Sequence, residues 1–329
     1  MSATSSPAAE PRRFADAERA ILEASLVHAG ATIAVVVDTE GSTYVRRGAI
    51  ALFGGDPAQV GWLSGGCLEP EIARRAAIAA AQRHIEWMEI DTRDDEALFS
   101  GSAVGCRGRL RVALLPLAAL EGWHAVVQAW LSRQGPLELA IDAQGQVSAW
   151  VGAERLHASV PASTLPWDDG PRLLHVSIAP PPVVAVFGSG PETGLLVPLL
   201  RATGWLITTV ERRPRWLPSA RVADTVIEDT PTRAVAALGA RIDAALVMHH
   251  HFELDREALD ALAAQPVPFI GLLGPRRRRD DLFRVLPAAQ VERLAPRLHS
   301  PVGLDLGGHG AEAIALSIAA GLQAWRHGR

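Results

Sequence analysis

The sequence predicts an α/β protein of two domains, an N-terminal α/β domain and a C-terminal Rossmann-like domain with a doubly wound parallel sheet. The 329 residues are enough for about two domains. After Val183, apolar strand-like segments alternate with helical ones, which is the pattern of a parallel sheet. The stiff run Pro180-Pro181-Pro182 precedes that pattern. We therefore expect a disordered tail over 1–13 and domains over 14–178 and 179–329.

Composition excludes several classes of protein. Apolar residues make up 48 % of the chain and charged residues 21 %, which is typical of soluble proteins. A formal charge of −4 gives no reason to expect nucleic acid or an anionic membrane as a partner. We expect a cytoplasmic location for three reasons. The chain has only two cysteines, no apolar run of membrane-spanning length and no signal-like N-terminus. Because the chain has no lysine, it has neither a pyridoxal Schiff base nor a Walker A lysine.

The N-terminal domain opens with an amphipathic segment, 14–28, followed by a continuous apolar run, 32–38. The first predicts a helix, and the second predicts a strand that is buried on both faces. The later segments predict a hairpin (49–53 and 59–63), a helix (68–83), two strands (84–91 and 109–117), a helix (120–132) and a second hairpin (137–141 and 146–151). Residues 152–172 are rich in Pro, Asp and small residues, which indicates a peripheral loop.

Cys67 lies where a predicted strand ends and a predicted helix begins. The unpaired N–H groups and the dipole of a helix N-terminus favour an anion, so a thiolate there can face a ligand or a metal. Gly65 and Gly66 precede it and let the backbone approach a ligand closely. The alternative is a cysteine that only packs inside a tight turn.

Cys106 follows an irregular stretch and lies between two glycines. Two lone cysteines in glycine-rich turns suit a soft metal or a shared sulfur site, although CxxC zinc spacing is missing. Ser42, Arg46 and Arg47 lie in the predicted loop 39–48. Two arginines beside a Gly-Ser turn form a good phosphate fork, and the alternative is that they are ordinary solvated charges.

The second domain begins with a dinucleotide-binding arrangement. A β-branched strand, 183–187, leads into a turn that holds Gly188, Gly190 and Gly194, and a helix, 192–202, follows. A second strand, 205–210, then ends in Glu211, about where an acid binds ribose in such folds. The glycine spacing is one residue longer than GxGxxG, and Glu211 has a competing interpretation as the ion-pair partner of Arg212 or Arg213.

Three further strand-like segments, 222–227, 243–248 and 269–273, alternate with helical ones at 231–238, 255–264 and 277–285. Ligands of doubly wound sheets bind outside the carboxyl ends of the strands. The residues expected there are the triplet His249-His250-His251 and the run Gly274-Pro275-Arg276-Arg277-Arg278-Arg279, although a solvated loop and a charged helix start would look the same.

Five motifs of the chain are Gly41-Ser42-Thr43-Tyr44-Val45-Arg46-Arg47-Gly48-Ala49, Ser64-Gly65-Gly66-Cys67-Leu68-Glu69, Val247-Met248-His249-His250, Phe269-Ile270-Gly271-Leu272-Leu273-Gly274-Pro275-Arg276-Arg277 and His299-Ser300-Pro301-Val302-Gly303-Leu304-Asp305-Leu306-Gly307. They resemble motifs of the XdhC/CoxI family, accessory proteins of xanthine dehydrogenase and related molybdenum hydroxylases. The resemblance covers about residues 30–110 and 183–322. Two departures are Arg107 and Pro275, where the family has Gly and Ser.

The resemblance implies a chaperone that binds the molybdenum cofactor, a molybdopterin or its dinucleotide form, supports its sulfuration and inserts it into a hydroxylase. It implies that Cys67 and Cys106 carry the chemistry and that His250, Arg276 and Arg277 hold the cofactor. Cys67 is the candidate contact to molybdenum, and the alternative that Cys106 makes this contact or carries the sulfur stays open. The expected partners are the hydroxylase apoenzyme, a cysteine desulfurase and a second copy of the chain as a homodimer. Two alternatives stay open: an NAD(P)-dependent oxidoreductase, with His250 or Cys67 as acid or base, and a nucleotide-sensing scaffold.

Overall fold

The computed structural model describes residues 18–92, 108–169 and 172–328. The chain divides into two compact units, Met1–Pro181 and Pro182–Arg329, so the division falls within the proline run. Each unit has its own hydrophobic clusters. Among the described helices, none is both long and apolar enough to span a bilayer.

The first unit contains a five-stranded antiparallel sheet of order β3-β2-β1-β5-β4. Its central strand is buried on both faces, as its unbroken apolar run predicts: Val35 packs in the cluster of α1, and Val36 packs in the cluster of α2. The elements are α1 (Glu18–Val27), β1 (Thr32–Gly41), β2 (Ile50–Phe53), β3 (Gln59–Val60), α2 (Glu69–Gln82), β4 (Glu86–Asp91) and β5 (Gly108–Pro116).

A second antiparallel sheet, of order β8-β7-β6-β9, completes this unit. The expectation of a peripheral loop over 152–172 is wrong for residues 154–159, which form an edge strand, β8. Only Leu156 of that strand is buried, so its polar side chains hide the alternation that marks a strand. The elements are α3 (Trp123–Leu131), β6 (Leu137–Asp142), β7 (Gln146–Val151), β8 (Glu154–Ser159) and β9 (Leu173–Ile178), the last also missed.

The second unit is a six-stranded parallel sheet of order β12-β11-β10-β13-β14-β15, the order of a Rossmann fold, which confirms the predicted fold class. Helices cover both faces. The strands are β10 (Val183–Phe187), β11 (Leu206–Val210), β12 (Thr225–Ile227), β13 (Ala244–Val247), β14 (Phe269–Leu272) and β15 (Leu298–His299). The helices are α4 (Thr193–Ala202), α5 (Leu217–Ala220), α6 (Pro231–Leu238), α7 (Phe252–Ala263), α8 (Arg276–Val285), α9 (Ala288–Leu294) and α10 (Gly310–Arg326).

Candidate functional site

The turn before α2 is organised by one buried carboxylate, Glu69. Its Oε1 accepts hydrogen bonds from the backbone N–H groups of Leu63 (3.0 Å) and Ser64 (2.8 Å), and its Oε2 accepts one from Gly66 (2.8 Å). The Ser64 hydroxyl also donates to Oε2. Burial by itself would raise the pKa of Glu69, but the hydrogen bonds from Ser64 and Leu63 outweigh it and lower the pKa. Glu69 therefore holds the turn as a charged anchor.

Cys67 is an exposed free thiol on this turn, one residue before the N-cap of α2. Its Sγ lies 3.3 Å from the carbonyl oxygen of Ser64. A pocket opens beside it, and Ser42, Thr43, Tyr44 and Leu68 are among the residues that line this pocket. The position thus differs from a cysteine packed inside a turn, since the thiol is accessible and lies beside a hollow.

Gly65 and Gly66 both have positive φ, 74° and 116°, a conformation that favours glycine. A Cβ at Gly65 would lie 3.2 Å from the ring of Tyr44, and one at Gly66 would lie 3.9 Å from Trp62. Tyr44 and Trp62 are exposed, by 59 % and 56 %. The two rings therefore flank the glycine pair, and neither aromatic stood out in the sequence as a site residue.

The structure does not bring all the other predicted site residues of the first unit to the pocket of Cys67. Ser42 lines the pocket of Cys67, whereas Arg46 and Arg47 are exposed residues that do not line it. Cys106 lies outside the described residues. Across the described ranges, no group of three or more His, Cys, Asp and Glu side chains is arranged to hold a metal ion.

In the second unit, the turn after β10 packs against the end of β13. A Cβ at Gly188 would lie 2.4 Å from the Cα atom of His249, and Gly188 has a φ of 92°, so only glycine fits there. At Gly190 the nearest atom to a Cβ would be Glu192 Oε2, at 2.8 Å, and the His250 ring would lie at 3.6 Å. Gly194 has nothing within 4 Å of that position.

Glu211 is fully engaged within the protein. Its Oε1 accepts from the backbone N–H of Arg213 (2.8 Å) and from its Nε (2.9 Å). Its Oε2 accepts from Arg213 Nη2 (2.6 Å) and from the backbone N–H of Ser189 (2.8 Å). A carboxylate has about four acceptor positions. All four are filled here, as the ion-pair interpretation with Arg213 expects, and none is left for a ribose hydroxyl.

The amides of the glycine turn are also largely occupied. Gly188 donates to the carbonyl of Val210, Ser189 donates to Glu211, and Gly190 donates to the Thr193 hydroxyl. Pro191, which precedes the N-cap residue of the helix, has no N–H to offer. This arrangement differs from a phosphate cradle, in which such N–H groups point at the ligand.

The histidine triplet and the arginine run are divided between a buried network and the surface. His249 is 3 % exposed and contacts Asp255 (Nδ1 to Oδ1, 3.1 Å), which is fully buried. Arg278 donates to the other oxygen of Asp255 (2.5 Å) and also packs against Gly274. His250 is half exposed, and Arg276 and Arg277 are exposed on the first turn of α8. The sequence analysis did not single out Asp255, and it named Arg278 only as a member of the arginine run.

A second pocket lies at the carboxyl end of β14. Gly274 and Pro275 line one part of it, and the segment that contains Asp305 lines another. Two exposed leucines, Leu304 and Leu306, also line it. This position agrees with the rule that ligands of doubly wound sheets bind outside the carboxyl ends of the strands.

Comparison with known proteins gives consistent results for both units. Residues 27–90 match the model of the XdhC and CoxI family, and residues 184–322 match the model of the XdhC Rossmann domain. The chain is 27 % identical over 307 residues to a probable xanthine dehydrogenase subunit of Bacillus subtilis (strain 168), covering 88 % of this chain and 91 % of that protein. A shorter match, 37 % over 91 residues, is to the uncharacterized protein YqeB of Escherichia coli (strain K12) and covers 26 % of this chain and 17 % of that protein.

The likeness to a solved structure extends over nearly the whole chain. The crystal structure of a xanthine dehydrogenase from Bacillus halodurans superposes with a TM-score of 0.76 at 25 % identity. The alignment covers 95 % of this chain and 96 % of that one, so both units have counterparts there.

Proposed function

Because the chain belongs to the XdhC/CoxI family, we propose that it is an accessory protein that binds the molybdenum cofactor for a hydroxylase of the xanthine dehydrogenase type. It supports sulfuration of the cofactor and inserts it into the apoenzyme. The observation that carries the proposal is Cys67, an exposed thiol beside a pocket on a turn anchored by a buried carboxylate.

The chemistry of the thiol suits this role. Thiolate is a soft ligand that binds transition metals well. In this role Cys67 would add one ligand to a metal that the pterin already holds. The cofactor supplies a molybdenum–sulfur centre for the chemistry of the client enzyme.

This chain is not itself a cysteine desulfurase of the pyridoxal type. A cysteine desulfurase of the pyridoxal type needs a lysine Schiff base, and this chain has no lysine. We therefore include a separate desulfurase among the partners, together with the hydroxylase apoenzyme and, as a homodimer, a second copy of the chain.

An NAD(P)-dependent oxidoreductase is the competing function. The Rossmann strand order favours it, whereas the filled acceptor positions of Glu211 do not. Oxidation of the purified protein's ligand to the fluorescent pterin product would support the cofactor role, and nicotinamide absorbance would support the dehydrogenase.

The decisive test is activation of a molybdenum-free hydroxylase by the full-length protein loaded with cofactor. We expect Cys67→Ser to lower activation at least about tenfold while its melting temperature stays that of the wild type, because an exposed side chain contributes little to stability. Ser177→Ala, an exposed position on the second sheet of the same unit, is the matched control. Full activation by Cys67→Ser would remove the thiol from the mechanism.

A further inference from the structure

Two buried polar atoms of the glycine turn have no hydrogen-bond partner within the described part of the chain, Glu192 Oε2 and Ser189 Oγ. Glu192 is 6 % exposed and Ser189 is 1 % exposed. Buried polar groups in folded proteins almost always have hydrogen-bond partners. Burying a carboxylate oxygen without a partner carries a large free-energy cost. The turn therefore presents acceptors that the protein itself does not satisfy.

The neighbouring donors are committed elsewhere. The Arg213 guanidinium donates its hydrogen bonds to Glu211 and to the carbonyl oxygens of His249 and Ser189. His249 is paired with Asp255. His250 approaches the other oxygen of Glu192, with its Nε2 3.4 Å from Oε1, and leaves Oε2 without a donor.

A phosphate does not complete this site. Glu192 is the N-cap residue of α4, so its carboxylate already brings a negative charge to the positive end of the helix dipole. Its Oε2 occupies the face of Gly190 at which a pyrophosphate would approach in a Rossmann fold. A second anion would meet this carboxylate at close range, so the ligand has to bring hydrogen-bond donors instead.

We infer that the glycine turn binds the 2-amino-4-oxopyrimidine edge of a flat heterocycle, the edge that pterin and guanine share. That edge carries an amino group next to a ring N–H, and adjacent N–H donors suit a carboxylate. Glu192 Oε2 accepts from them. His250 is half exposed and lies against the same face of Gly190, so the ring enters by displacing its imidazole.

This inference deepens the proposed function, on which it rests when the ring is the pterin of the cofactor. It assigns the base end of the ligand, rather than a phosphate, to the Rossmann turn. It also makes Glu192 a binding residue that the glycine motif alone would not reveal.

The test is calorimetric titration of the full-length protein with pterin and guanosine, and with lumazine and inosine, which keep each ring but lack the 2-amino group. ADP serves as the phosphate probe. We expect pterin or guanosine to bind at least tenfold more tightly than its partner without the amino group, and the preferred ring identifies the source. Glu192→Gln should lower the affinity for that ring at least tenfold. Glu228→Gln, which replaces an exposed carboxylate of the same unit, should leave that affinity unchanged.

Equal binding of the rings with and without the amino group, absence of ring binding, or ADP binding that Glu192→Gln leaves unaltered would each overturn the inference. Pterin fluorescence of the purified variants separates this failure from failure of the proposed function. Wild type and Glu192→Gln that carry equal amounts of molybdopterin would refute the role of Glu192 and leave the accessory function standing. Absence of molybdopterin in both would refute the accessory function.

Discussion

Arg213 donates hydrogen bonds to both carboxylate oxygens of the buried Glu211. The same guanidinium reaches the carbonyl oxygens of His249 and Ser189, so it joins the carboxyl ends of β10, β11 and β13. The point between β10 and β13 is where the strand order reverses in this sheet. The ion pair thus occupies the place where many Rossmann folds bind a ribose.

The first prediction concerns pH and Glu211. Burial by itself would raise the pKa of its carboxyl, but hydrogen bonds from Arg213 and Ser189 hold the pKa below the ordinary value of 4.5. A folded-state pKa below the unfolded one stabilises the protein above the unfolded pKa, and that contribution is lost as the pH falls through the folded pKa. We expect Glu211→Gln to cost about 2 kcal/mol at pH 7 and progressively less below pH 4.5.

Urea unfolding at several pH values measures this difference. Glu228→Gln, which removes an exposed partner of Arg221, is the control and should change the free energy of unfolding by less than about 0.5 kcal/mol. A gap between wild type and Glu211→Gln that stays constant down to pH 3 would contradict the assignment.

The second prediction compares two adjacent arginines of α8. Arg278 pairs with Asp255, which is fully buried, whereas the Arg277 side chain is 91 % exposed. Arg278→Ala leaves a buried carboxylate without its cation, so we expect a loss of about 3 kcal/mol, and less than about 0.5 kcal/mol for Arg277→Ala. Thermal unfolding of the two variants checks this, and equal melting temperatures would show that Asp255 is held by other contacts.

The third prediction concerns the turn of Cys67. Glu69→Gln places an amide NH₂ opposite backbone N–H groups that now donate to a carboxylate oxygen. We expect a loss of about 2 kcal/mol in unfolding free energy and faster amide exchange at Ser64 and Gly66. Glu71→Gln, on the exposed side of the same helix turn, is the control. Unchanged exchange at Ser64 would mean that the turn does not depend on the carboxylate.

The fourth prediction contrasts two glycines of one motif. Gly188→Ala forces a Cβ to within 2.4 Å of the backbone of His249 at a positive φ, so we expect a loss of about 3 kcal/mol or more. Gly194→Ala meets open space inside a helix, and we expect a gain of about 0.5–1 kcal/mol. Chemical unfolding of both variants measures the contrast. Destabilisation by Gly194→Ala would show that this glycine has a role beyond conformational freedom.

Sequence alone determined the architecture of the second unit. Short apolar strands alternate there with amphipathic helices, and a parallel sheet is the stable way to bury strands that are apolar on both faces. Hydrophobic periodicity is local, so Val184 to Phe187 and Ala244 to Val247 were recognisable without any knowledge of their neighbours. The edge strand Glu154–Ser159 was not predicted from the sequence, because only one of its residues is buried.

Tertiary structure decided which polar residues meet. Ser189, which donates to Glu211, follows a different strand, and Arg278, which donates to Asp255, lies on a different helix. Nothing local distinguishes Arg278 from Arg276 or Arg277. Gly188 and Gly194 look alike in the motif, yet only Gly188 meets a neighbouring strand end. The glycine pattern determined the turn, whereas the carboxylate of Glu192 beside it decided its chemistry, because side-chain electrostatics depend on distances that only the folded chain sets.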